Sequence, residues 1–200
     1  DRREFIRMVT LAGVAFKPFV EATLPSDWQE IRARWERVDA NAQRVIDNQQ
    51  SLVALSKGLE TINRGNNAVL ELSQQAAQQI GQAGGTLREI EFANQLAVLS
   101  QRIAKNANAL AGGEDIDPDV AFLLGRDTAS FRDVLNGLIK GSETMRVPGV
   151  RSDDARSTLV ELSKRFAGYD AGVAAIVQSM NRLVAAKQAA SGVNSESEAL

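Results

Sequence analysis

The chain contains no cysteine and no histidine. That excludes cysteine nucleophiles, Cys/His zinc sites, imidazole bases and the usual haem ligands. A cysteine-free chain is compatible with the periplasm, although it offers no disulfide to argue for that compartment. Aromatic residues make up 5% of the chain, and there are four prolines. The net charge is −2, with both signs interspersed, so no basic block suggests nucleic acid and no acidic tail suggests a solvating arm. No run approaches the roughly 20 apolar residues of a membrane span.

What remains is a helix-forming composition. Ala, Leu, Gln, Glu and Arg dominate, β-branched runs are scarce, and 44% of the 200 residues are hydrophobic. The first residue is Asp1 rather than methionine, which reads as a segment of a longer protein. Arg2-Arg3-Glu4-Phe5-Ile6-Arg7 resembles a twin-arginine export signal, but no small-residue cleavage site follows, and a surface-charged helix remnant is the better reading.

Strict alternation is absent and heptad-like spacing is nearly everywhere, so the chain is expected to be all-α with no strands. Pro25-Ser26-Asp27-Trp28-Gln29 reads as a helix start with Ser26 as cap. From there Ile31, Trp35, Val38, Ala42, Val45, Gln49, Leu52 and Leu59 step by three and four, continuing through Ile62, Val69, Leu72, Ala76 and Ile80. Unbroken, residues 26–82 would form a helix roughly 85 Å long, with Gly58 and Gly65 as places for a bend. Gly84-Gly85 ends it, and Thr86-Leu87-Arg88-Glu89 forms a second capping box. The next helix carries Leu96, Leu99, Ile103 and Leu110, and stops at Gly112-Gly113. Asp117-Pro118 opens a third, with Val120, Leu124, Phe131, Val134 and Leu138. A last helix from near Asp153 to 190 carries Leu159, Leu162, Phe166, Tyr169, Val173, Ile176, Met180 and Leu183. The polar stretch 191–200 is expected to fray. Long, short, short, long with short connections implies an antiparallel up-down four-helix bundle over 26–190. The surplus length of the outer helices must pack on something else, a preceding bundle or a second copy, with 1–24 as the remnant of a preceding helical module in a tandem or stacked arrangement, or an N-terminal extension.

On the second helix stands Phe92-Ala93-Asn94-Gln95-Leu96-Ala97-Val98-Leu99-Ser100-Gln101-Arg102-Ile103-Ala104-Lys105. Its Leu-Ser-Gln-Arg-Ile-Ala-Lys core resembles the signature of the PilJ-type sensor domain of type IV pilus chemoreceptors, usually A-G-R-Q-R-M-L-S-Q-R-M-A-K. Gly125-Arg126-Asp127 and Phe131-Arg132-Asp133-Val134-Leu135-Asn136-Gly137-Leu138 resemble the companion helix of that module. The likeness covers roughly 26–190 and is most specific over 92–141. It implies a membrane-bound methyl-accepting receptor of the inner membrane, with this segment periplasmic. It further implies a homodimer in the intact receptor, a cytoplasmic histidine kinase reached through parts outside this chain, and control of twitching motility. The input would be a small molecule or a protein such as the pilin subunit. Where the family motif carries two arginines this chain has Gln95 and Ala97, which removes charge where an anion would need it.

Asn94, Gln101 and Arg102 are the candidate ligand-binding residues. The plainer reading of Arg102 is a flank residue packing its stem over the seam marked by Leu99 and Ile103. Asn106, Gln49 and Ser56 are read as register-setting polar residues on helical seams. Phe131, Phe166, Tyr169 and Trp35 are read as core. Glu114, Asp115, Asp117 and Asp119 form an acidic loop without the spacing of a calcium site, better explained by a helix cap. No nucleophile–base set, phosphate loop or nucleotide fingerprint is present, so no catalysis, cofactor or metal is expected. Two other readings stand beside the sensor: a structural dimerisation stalk without its own ligand, and a helical module that binds a small anion or amphiphile.

Overall fold

The computed structural model describes residues 26–112 and 116–198. The described residues form six helices: α1 (Ser26–Asp47), α2 (Gln49–Gln82), α3 (Leu87–Gly112), α4 (Pro118–Lys140), α5 (Asp153–Gln178) and α6 (Met180–Glu198). The protein is all-helical over these residues, with one isolated bridge between Ser142 and Val147. The reading of 1–24 as a module remnant lies outside the described residues, as do Glu114 and Asp115 of the acidic loop.

The chain divides into two compact units. The larger, Val45–Gln188, holds α2 to α5. Each of these helices packs on its neighbour in sequence, and α5 closes back onto α2. Their buried positions step by three and four. On α2 they include Leu55, Gly58, Ile62, Val69, Ser73, Ala76 and Ile80. On α3 they include Ala93, Leu96, Leu99, Ile103, Ala107 and Leu110. That spacing keeps one apolar stripe per helix turned inward. Fully burying each Leu or Ile contributes about 1.5–3 kcal/mol. Asn106 is only half-buried, because Ala107 takes the seam position; Gln49 and Ser56 are exposed for the same reason of phase, with Ser51 and Leu55 turned inward.

The helix ends follow their local chemistry. Thr86 and Glu89 form the expected box: the Thr86 amide donates to Glu89 Oε2 at 2.7 Å, and the Glu89 amide to Thr86 Oγ1 at 3.2 Å. Asp117 Oδ1 accepts from the Asp119 amide at 2.8 Å, ahead of Pro118 at the first helical position. Ser152 caps α5 by accepting from the Ala155 amide.

Two continuous helices expected from periodicity are each interrupted once. Asn48 separates α1 from α2, and Ser179 separates α5 from α6. Both residue types bond readily to nearby backbone outside a helix, and both sit near ψ 0° here. α2 runs through Gly58 and Gly65 without interruption, and both are where α5 comes close. A Cβ on Gly58 would stand 2.9 Å from the Gly172 carbonyl oxygen and 3.1 Å from Ile176, and Gly65 lies under the Tyr169 ring.

The smaller unit contains, among the described residues, 26–44 and 189–198. Arg37 Nε donates to Glu196 Oε1 at 2.7 Å, and Gly192 packs on the Asn41 side chain. The polar stretch expected to fray is helical through Glu198, where these contacts from a distant part of the chain hold it. Trp35, expected in a core, is 62% exposed, and its neighbours on that face, Trp28 and Ile31, are exposed too. The hydrophobic core runs from Leu55 to Leu183, within the larger unit.

Replacing Gly58 by Ala should destabilise the protein by about 1–3 kcal/mol through overpacking against the α5 backbone. Gly125→Ala, where an added Cβ meets nothing within 4 Å, should instead be stabilising by up to about 1 kcal/mol. Urea unfolding followed by circular dichroism measures both, and equal effects would contradict the close approach.

Candidate functional site

The family-like tripeptide Ser100-Gln101-Arg102 sits midway along α3 and makes one polar contact with each of three other helices. Successive helical residues point about 100° apart, so three in a row can address three neighbours. Ser100 is buried; its hydroxyl donates to the Ala97 carbonyl at 2.8 Å, and its carbonyl accepts from the Tyr169 hydroxyl of α5 at 3.3 Å. Gln101 Nε2 donates to Asn66 Oδ1 of α2 at 3.4 Å. Arg102 Nη2 donates to Asp127 Oδ1 of α4 at 2.9 Å. The Tyr169 hydroxyl also lies 3.0 Å from Asn66 Oδ1, which closes a ring of polar contacts around α2, α3 and α5.

Apolar packing delivers these groups. Phe131 stacks on Phe166 with centroids 4.0 Å apart, and Phe166 stacks on Tyr169 at 5.9 Å. All three rings are buried, as expected for core. The Tyr169 ring therefore serves the core while its hydroxyl serves the polar layer, a second role that periodicity does not reveal. Burial pushes its phenol well above the ordinary value of 10.0. Farther along the same interface, Asn63 and Asn108 exchange side-chain hydrogen bonds of 3.1 and 2.8 Å.

The most constrained member is Asp127. It is 2% exposed, yet its Oδ1 accepts from Arg102 and, at 3.3 Å, from Arg126 Nη2, while Oδ2 is buried without a partner. The sequence carried a signal for it: Asp127 falls on the α4 seam between Leu124 and Phe131, where a charge is out of place. Asn66 carried none, because a polar residue on a helix flank is ordinary.

The three sequence candidates do not converge. Gln101 turns to α2 and Arg102 to α4, while Asn94 is exposed about two turns earlier on α3. A cavity of about 210 Å³ lies at the end of the larger unit, lined by Ile80, Gly85, Glu89, Pro148 and Arg151 among others, and none of the three candidates lines it. Glu89 there is already held by Thr86. Among the described residues no group of three or more acidic, Cys or His side chains is placed to hold a metal ion. No helix among them is long and apolar enough to cross a membrane.

Arg102→Ala should cost about 1.5–3 kcal/mol, the value of a charge-assisted hydrogen bond to a buried carboxylate. Thermal or urea unfolding checks this, and Arg102→Lys should recover part of the loss. The raised Tyr169 phenol gives a second expectation. Its folded pKa exceeds the unfolded one, so its contribution is fully present below pH 10 and declines as pH rises toward the folded value. Stability measured above pH 10 should fall by up to about 1.4 kcal/mol per pH unit from this group, and Tyr169→Phe should remove that component.

No family model matches the chain. It is similar to the protein PilJ of Pseudomonas aeruginosa, 26% identical over 117 residues, which are 58% of this chain and 17% of that protein. The chain thus spans about a sixth of the relative's length, and the relationship is distant and partial.

Proposed function

We propose that this chain is the extracytoplasmic sensory segment of a transmembrane chemoreceptor that controls type IV pilus twitching motility. What carries the reading is the tripeptide Ser100-Gln101-Arg102, which matches the sensor signature and bonds to three different helices. The likeness to PilJ supports the same direction. In this reading α2 to α5 form an antiparallel up-down four-helix bundle on the periplasmic side of the inner membrane, paired with a second copy. An input shifts the helices by 1–2 Å, enough to switch such a packed element, and the shift passes to a cytoplasmic histidine kinase. The favoured input is a protein, the pilin subunit, because Gln95 and Ala97 replace the arginines an anion would require.

The test separates this from a passive stalk. Asn66→Ala removes contacts to Gln101 and Tyr169 without emptying the core. Introduced into the intact receptor, it should change the twitching zone while immunoblots show unchanged receptor abundance. A stalk predicts wild-type motility, and wild-type motility after deletion of the whole segment would overturn the sensory role. Calorimetry with purified pilin should give heat of binding; silence at high micromolar pilin would sink the pilin input alone.

A further inference from the structure

We propose that Arg102 and Arg126 form a small-oxyanion site that the chain fills with its own Asp127 carboxylate. A pair built for strength alone would be bidentate, with the guanidinium fork spread over both carboxylate oxygens. Here the donors converge on one oxygen. Arg102 Nη2 reaches Asp127 Oδ1 at 2.9 Å, Arg126 Nη2 at 3.3 Å and Arg126 Nε at 3.4 Å, while Oδ2 is buried with no donor at all.

The two guanidiniums approach from the solvent edge. Their side chains are 45% and 49% exposed, whereas Asp127 is 2% exposed. Each guanidinium carries five N–H donors, and few of them are spent on Asp127. Two half-exposed arginines aimed at one buried point make a receptor for a small carboxylate or similar planar oxyanion, and α4 supplies that carboxylate from within. Leu124 and Phe131, both fully buried, flank Asp127 on α4 and give the point an apolar floor.

In the natural chain the site is shut. An anion from solution would have to displace Asp127, leaving a buried carboxylate without its donors, and that desolvation cost exceeds what a weakly held small anion gains. Truncating Asp127 empties the point and leaves both arginines in place. The site then takes an external carboxylate of the size that was removed.

Formate and acetate are the probes. Asp127→Ala protein is melted in sodium formate or acetate and in sodium chloride at matched ionic strength, beside wild type and the Asp127→Ala/Arg102→Gln double variant. The expected result is a saturable, carboxylate-specific rise in melting temperature for Asp127→Ala, with none for wild type or the double variant. A response to formate equal to that in chloride would overturn the proposal, as would equal responses in all three proteins. Should Asp127→Ala be unfolded in chloride, circular dichroism decides: helicity recovered in formate supports the site, and no recovery in either salt overturns it.

Discussion

The close approach of α2 and α5 is the constraint on which the polar layer depends. Gly58 and Gly172 let the two backbones come near enough that a Cβ on either would meet the other's carbonyl oxygen at 2.9 or 3.1 Å. About two turns along, Gly65 leaves room for the Tyr169 ring. From that position the Tyr169 hydroxyl reaches both Asn66 and the Ser100 carbonyl. Ser100 then fixes the height of α3, and Arg102, two residues on, meets Asp127 of α4. A side chain at Gly58 would therefore disturb contacts well away from itself, by holding α5 off α2.

Buried polar groups do not make such a protein more stable than an all-apolar seam would. What they supply is a preferred height for each helix. Leucine seams with small side chains between them can slide by a heptad at modest cost, whereas a hydroxyl and a carboxylate must find their partners or remain desolvated. The layer here combines a well-satisfied part, around Tyr169, with an unsatisfied one, Asp127 Oδ2. On the sensory reading that combination suits a bundle that holds one register and can leave it.

Much of the helical layout was legible in the sequence. The ends at Gly84-Gly85, Thr86, Asp117 and Ser152 follow from capping and turn chemistry that acts within a few residues. The interruptions at Asn48 and Ser179 were missed because each spans a single residue and leaves the apolar period almost intact on both sides. The close approach of α5 at glycines 58 and 65 was not legible, since a glycine in a helix looks the same from sequence whether it gives room for a bend or for a neighbouring backbone. The site was legible only in part. Periodicity placed Arg102 at the flank of the seam, but its partner comes from another helix, and Tyr169 and Asn66 meet across 103 positions of chain. Local pattern tells which face of a helix is buried and not which residue waits opposite.

On the proposed sensory reading, the partners found for Gln101 and Arg102 bear on what kind of input this segment is suited to receive. Each of these side chains is bonded to another helix of the same chain, so a ligand seeking them must first break an internal contact. Such a ligand gains only the difference between its own bonds and those it replaces, and it shifts the helices by no more than its differential affinity for the two arrangements. A small molecule has few groups with which to outbid a charge-assisted bond to a buried carboxylate. A partner that grips exposed helix surface leaves the internal contacts in place until the helices move, and it can draw on a much larger contact area. On the proposed sensory reading, the tripeptide is then the part that reports a movement imposed from outside, and the receiving surface lies elsewhere on the helices.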